Sequence, residues 1–417
     1  MGVKAFIKKI PFVYPVINKI RLYKNLRYPK LSEKYISHVA KVKRHGKIKV
    51  GFIVQLSESC WDKQVDVFNE MILHSDFSVK LLVVPKNING EFETYEDNYF
   101  FTNYPNYCIK VIENNKVINI KKLNFDYIFF PRPYDYYLPK GIRSTDLVKF
   151  TRCCYIPYGF SLSDNFNDCN VDSSFFDNIY IEFTESEYIC SLLYKKYKNS
   201  CDKNIRHFEY LGYPCLNKYL DMKPNPTVKT ITWTPRWSYD IKYGGSNFVE
   251  YKDSFINFCR NLKKKIDVIF RPHPLMFDEL IKKNIITQKE KDDFLYILEE
   301  LNIQMDVKSP IDVILNKTDI LITDFSSIIL QFFLTNRPII YCKKNIDFNE
   351  SGKIIEKGIY VTTTWDEVEK KCNLLINGID ELSYERENII KREFSNLGNS
   401  AKNIVERIFV DYRGDNI

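Results

Sequence analysis

Three polar clusters interrupt apolar runs in the second half of the chain: Thr234-Pro235-Arg236-Trp237, Arg271-Pro272-His273-Pro274 and Thr323-Asp324-Phe325-Ser326-Ser327. Each follows a short apolar or β-branched stretch, TITW, DVIF or DILI. In an open parallel sheet, ligands bind outside the carboxyl ends of the strands, so these clusters stand where a ligand would be met. Together they bring two arginines, one histidine and two serine hydroxyls towards one rim. That set suits a phosphate: permanent cations, a titratable donor, hydroxyls, and the unpaired N–H groups of a helix starting near Ser326. Asp324 or Ser326 alone would read as an ordinary helix cap worth about 1 kcal/mol. Pro272 and Pro274 stiffen the turn on either side of His273. This places a proton donor beside Arg271, an arrangement that can stabilise a leaving phosphate.

The elements that position these clusters follow an α/β pattern. Residues 47–56, 78–85, 126–133, 152–160, 179–184 and 208–214 are short apolar, β-branched or aromatic runs ending in Pro, Gly or polar residues, as buried parallel strands do. Residues 62–75 and 186–197 are amphipathic helices between them. The segment 221–227, with two prolines and no apolar period, reads as a linker. A second series follows, with strands at 229–235, 267–274, 319–324 and 338–342, and helices at 252–265 and after Ser326. At 417 residues the chain exceeds one ordinary core. The expected division is an arm over 1–45, a first domain over 46–220, the linker 221–227, a second domain over 228–396 and a closing helix over 397–417. Two such domains make a cleft in which a ligand would bind.

Charge excludes one class of partner. Residues 1–50 hold 14 Lys or Arg against the single acid Glu33, and the rest of the chain holds 47 basic against 52 acidic residues. The overall charge of +8 therefore belongs to the arm, and no nucleic-acid partner is expected of the body. In the arm Phe6, Ile7, Ile10, Val13, Ile17 and Ile20 recur at roughly helical spacing among lysines and arginines. This predicts contact of residues 1–30 with an anionic membrane surface. The lysines interrupt any run of the roughly 18 apolar residues a membrane span needs, and Pro11 and Pro15 divide the helix. The 11 cysteines form no C-x2-C pair, so neither a disulfide framework nor a structural zinc is expected. No metal and no cofactor is anticipated, and the expected location is cytoplasmic, peripheral on the inner face of the cell membrane.

The set FRPHP, DILITDFSS and RPIIYC, with LGYP before the linker, TWTPRW after it and GNSAKNIV near the end, resembles the CDP-glycerol glycerophosphotransferase family of teichoic acid and capsule synthesis. The resemblance covers Leu211 to Tyr341 and the GNSAKNIV stretch. It implies an α/β fold of GT-B type, with two Rossmann-like parallel-sheet domains facing a cleft and the donor nucleotide held mainly by the second. Carried over residue by residue, it implies that His273 acts in catalysis and that Arg271, Thr323, Asp324, Ser326, Ser327, Thr234 and Arg236 hold the donor's phosphates, with Phe325 where the family has tyrosine. The implied partners are CDP-glycerol or a related nucleotide-activated donor and a glycan or lipid-linked acceptor.

In the first domain the family's W-H-G-T-like element carries a histidine proposed as base for the acceptor hydroxyl. Here YIPYGF places Tyr158 there. A tyrosine of ordinary pKa, about 10, is a poor base at neutral pH. Tyr158 is retained as a catalytic candidate beside Asp164 and Glu185. Two other readings stand with it: transfer of a sugar from a nucleotide sugar on the same fold, and a non-catalytic nucleotide-binding subunit of a glycan-assembly complex.

Overall fold

The computed structural model describes residues 28–42, 45–55, 60–85, 87–88, 91–92, 95, 98–222, 224–225, 227–241, 244–262, 266–394 and 397–414. Of the arm over 1–45, residues 1–27 and 43–44 lie outside the described residues. By internal contacts the chain forms two units, one from Met1–Tyr158, Asp168–Leu211 and Ser400–Ile417, the other from Gly159–Asn167 and Gly212–Asn399.

The first unit is built on strands β1 (Ile48–Val54), β2 (Phe77–Val83), β3 (Cys108–Lys110), β4 (Tyr127–Phe130), β5 (Arg152–Tyr155), β6 (Ile181–Phe183) and β7 (His207–Glu209). They pair in parallel in the order β7-β6-β5-β4-β1-β2-β3. Such strands are covered on both faces, which is why they are continuous rather than alternating: every residue of YIFF in β4 and of RCCY in β5 is buried. The C-terminal helix Ser400–Arg413 belongs to this unit. Its Asp411 accepts hydrogen bonds from Tyr127 and Tyr180 at 2.6 and 2.5 Å, and its Arg407 Nε donates to both carboxylate oxygens of Glu209.

The second unit carries β8 (Thr230–Thr234), β9 (Asp267–Phe270), β10 (Gln304–Met305), β11 (Ile320–Thr323), β12 (Ile339–Cys342) and β13 (Tyr360–Thr362), parallel in the order β10-β9-β8-β11-β12-β13. Trp233 lies at the centre of its core, fully buried and in ring contact with Phe248, Phe255, Phe270 and Trp365.

In both sheets the first three strands run outward to one side and the fourth returns to pair with the first. Each sheet therefore has a switch point, between β1 and β4 in the first unit and between β8 and β11 in the second. There the connections leave in opposite directions and open a crevice at the carboxyl edge. Both units are Rossmann-like, and the fold class is GT-B.

The division between units falls at 211/212, whereas the sequence suggested a linker over 221–227. The proline-rich segment is tied to the second sheet. Asn225 Nδ2 donates to Asp319 Oδ1 at 2.6 Å, and the other carboxylate oxygen of Asp319 accepts from the N–H groups of Lys229 and Thr230. Residues 159–167, which follow β5 in sequence, also count with the second unit. Asn349 holds them there through its N–H to Leu162 O, 2.9 Å, and its Nδ2 to Ser161 O, 3.0 Å.

Candidate active site

Thr234 and Thr323 end the two strands that flank the second switch point and stand in register. Both are buried, and their hydroxyls are used internally: Thr234 Oγ1 donates to Ile322 O, and Thr323 Oγ1 to Asp324 O at 2.9 Å. These threonines close the strand ends and do not reach the rim.

Asp324 follows as a buried keystone. Its carboxylate accepts from Arg236 N (2.8 Å), Asn247 Nδ2 (2.8 Å), Asn247 N (3.2 Å) and Ser246 Oγ (3.4 Å). Burial pushes its pKa up, and the hydrogen bonds from Arg236 and Asn247 oppose that shift. The same Asn247 amide donates to Cys342 O, joining the end of β12 to the network. Asp324 thus shapes the loops around the rim from beneath. The sequence reading missed Ser246 and Asn247, although Gly244-Gly245 just before them were a visible turn signal. Gly244 has φ +99°, and a Cβ there would meet Ile346 Cδ1 at 2.8 Å.

Four side chains at the rim, Arg236, Ser327, Ser326 and His273, are not fully consumed by bonds within the fold. The Arg236 guanidinium donates through Nη1 to Phe325 O and lies against the rings of Phe166 and Phe325, 5.9 and 5.6 Å from their centroids. Its Nε is buried without an acceptor. Ser327 stands at the N-cap position of the helix Ile328–Phe333 but its side chain makes no capping bond, so the exposed hydroxyl is unspent. Ser326 Oγ accepts only a long contact from Ile328 N, 3.4 Å.

His273 is the fourth. Its Nδ1 accepts from the N–H of Leu275 at 3.2 Å, which assigns the proton of the neutral ring to Nε2. Partial burial first, and the charge of Arg236 second, hold its pKa below the usual histidine value. At neutral pH the ring is therefore an uncharged Nε2–H donor. Its centroid lies 6.2 Å from that of Trp237.

Arg271 is committed elsewhere. Nη1 pairs with Asp306 Oδ1 at 2.6 Å and Nη2 donates to Ser309 O at 2.8 Å. Asp306 also accepts from the N–H groups of Lys308 and Ser309. The guanidinium thereby fixes the 306–309 turn beside the end of β9.

In the first unit, Tyr158 shares a 2.7 Å hydrogen bond with the hydroxyl of Tyr134. Burial raises its pKa, against the opposing effect of that bond, so the phenol is even less ready to act as a base than a free tyrosine. Glu185 is 2% exposed and no more accessible to a substrate. Asp164 is exposed, on the turn Asp164–Phe166 of the second unit. That turn packs against the Phe325 loop through the stacked rings of Phe166 and Phe325, 6.1 Å between centroids. Among the described residues no group of three His, Cys, Asp or Glu gathers to hold a metal, and no helix is long and apolar enough to cross a membrane.

The fold has known counterparts. A wall teichoic acid polymerase, TagF, soaked with CDPG, superposes with a TM-score of 0.54 at 14% identity over 97% of this chain and 99% of that one. A UDP-N-acetylglucosamine 2-epimerase gives 0.59 at 11% identity over 89% and 98%. The UDP-GlcNAc-bound epimerase of Neisseria meningitidis gives 0.57 at 11% over 87% and 99%. At such identities these likenesses establish the fold. No curated protein matches the sequence. By sequence, residues 217–409, a span that includes Arg236, His273 and Ser327, match the model of the CDP-glycerol:poly(glycerophosphate) glycerophosphotransferase family.

Proposed function

We propose that this protein transfers glycerol phosphate, or a related polyol phosphate, from a CDP-linked donor to a hydroxyl of a cell-surface glycan or lipid-linked acceptor, in teichoic acid-like or capsular polymer synthesis. The observation that carries the reading is the rim itself, inside the family-matched span. There Arg236 and Ser327 follow the two strands that flank the second switch point, and His273, with its Nε2–H, follows the neighbouring strand β9. An acceptor oxygen attacks the phosphorus that bears glycerol. The bond from that phosphorus to the bridging oxygen breaks, and CMP leaves with the electron pair. His273, Arg236 and Ser326–Ser327 donate hydrogen bonds to the donor's phosphate oxygens, where negative charge grows on the departing CMP. Arg271 supports that edge by fixing the 306–309 turn. The acceptor's proton passes to Asp164, the exposed carboxylate on the turn packed beside Phe325.

The test is a donor screen with purified protein and a lipid-linked or oligosaccharide acceptor, scored by the nucleotide released. CMP from CDP-glycerol or CDP-ribitol supports the reading. Release of UDP or CDP with formation of a glycosidic bond replaces it with sugar transfer. Nucleotide binding without turnover replaces it with a non-catalytic subunit.

The basic arm accounts for work at a membrane surface: residues 1–30 are expected to hold the protein peripherally on the inner face of the cell membrane. Co-sedimentation with anionic vesicles that persists after deletion of residues 1–27 would remove this part of the proposal.

A further inference from the structure

We propose that the carboxyl edge of the first sheet carries a sugar-binding platform made of Tyr134, Tyr136 and Tyr137, with Arg132 and Gln55 at its base. As the seat of an acceptor it rests on the proposed transfer; as a sugar site it stands without it.

The platform lies at the switch point between β1 and β4, the place in the first sheet that corresponds to the phosphate rim of the second. Gln55 follows β1 and Arg132 follows β4. Arg132 Nη2 donates to Gln55 Oε1 at 2.6 Å, and Gln55 Nε2 donates to Tyr137 O at 3.2 Å. The Arg132 guanidinium lies 4.4 Å from the centre of the Tyr137 ring. Around it the rings of Tyr136 and Tyr137 are 4.1 Å apart, and Tyr134 lies 5.7 and 6.1 Å from them.

Two of these rings face water: Tyr136 is 69% and Tyr137 47% exposed. Their backbone is nevertheless held. Asp135 accepts from the N–H and hydroxyl of Ser144 at 2.7 and 2.8 Å, and the Tyr134 hydroxyl is fastened to that of Tyr158. Exposed aromatic faces on a fixed turn, with a few polar groups beneath, are the makings of a binding site.

The chemistry selects a pyranose ring. Its C–H face packs on an aromatic ring, and its hydroxyls can take the tyrosine hydroxyls and the remaining N–H groups of Arg132. A poly(polyol phosphate) chain would need a run of cations, and the platform offers only Arg132, already bonded to Gln55 and stacked on Tyr137. The platform would then favour acceptors that end in a sugar over those that end in polyol phosphate. Tyr158 would serve it as a positioning residue, through Tyr134.

The experiment titrates full-length protein with chitotetraose, cellotetraose and maltotetraose, with a glycerol phosphate tetramer and with CMP, by calorimetry. At least one neutral tetrasaccharide should bind. Replacing Tyr136 and Tyr137 together by alanine should weaken that binding about tenfold or more, whereas the double phenylalanine variant, which keeps the rings, should hold most of it. Affinity for CDP-glycerol should be the same in all three proteins. The assignment is overturned if no tetrasaccharide binds, if the alanine variant binds it as tightly as the parent, or if the ligand lost on that variant is CMP or the glycerol phosphate tetramer. Failure of the transfer reading would show separately, as no CMP release from CDP-glycerol by the parent protein, and leaves the sugar titrations to stand or fall alone.

Discussion

The two sheets share a strand order and differ in what they place at the switch point. The second presents a polar rim: the neutral His273 ring, the Arg236 guanidinium and an exposed serine hydroxyl, with buried Asp324 fastening the loop that carries Arg236. The first presents tyrosines, two of them exposed, around an Arg–Gln pair. Topology sets where each sheet can receive a ligand. The residues just beyond the strands determine which ligand, and here one edge offers hydrogen-bond donors and the other aromatic rings.

The largest expected effect falls on the keystone. Asp324→Ala removes the acceptor of four hydrogen bonds at once. With each orphaned buried donor costing about 1–3 kcal/mol, urea denaturation should show a loss of several kcal/mol. An unchanged midpoint would mean that Asp324 does not organise the rim.

Next come the groups assigned to chemistry. Asp164→Asn should lower the rate of CMP release by about 10²–10⁴, as loss of a general base does, with CDP-glycerol affinity retained. His273→Ala should lower it by about 10²–10³ without moving the unfolding midpoint. If His273→Ala keeps full activity, the rim is not the donor site.

Tyr158→Phe separates the two edges. Burial pushes the Tyr158 pKa up, away from the range of a base, so the expected outcome is CMP release near the parent rate while the acceptor's KM rises through the loosened Tyr134. A collapse in kcat with KM unchanged would restore Tyr158 to the chemistry.

The smallest effect lies at the opposite edge of the first sheet. Burial first, then the charge of Arg407, holds His207 down at about 4. In the unfolded chain a histidine takes up its proton near about 6.5. Its contribution is therefore complete above that value and is lost as pH falls towards about 4. His207→Gln should flatten the pH dependence of the denaturation midpoint across that window. Activity at neutral pH should be untouched, because the residue sits at the start of β7 and not at a carboxyl end.

Most central strands were legible in the sequence because buried parallel strands are unbroken apolar runs, as in DYIFF and DILIT. Of the four edge strands only β7 was, inside the expected run 208–214. Gln304–Met305 is two exposed residues with no pattern to read, and Cys108–Lys110 is short and only partly buried. At the site, the clusters after β8, β9 and β11 announced themselves by residue type. Which members face a ligand did not: Thr234, Thr323 and Asp324 look like ligand groups in sequence, but are consumed in fastening strands and loops. Arg271 likewise pairs with Asp306, 35 residues away in the chain and beyond the reach of any local pattern.

The sequence by itself determined the α/β alternation, the basic arm and the family signature around His273, because apolar runs, charge counts and proline-flanked motifs are local properties. Only the tertiary structure decided that residues 159–167 pack with the second unit, that the closing helix packs with the first, and that His273 carries its proton on Nε2. The physical reason is the same in each case. A hydrogen bond or a buried ring is satisfied by whichever partner folding brings near, and sequence distance does not record that partner.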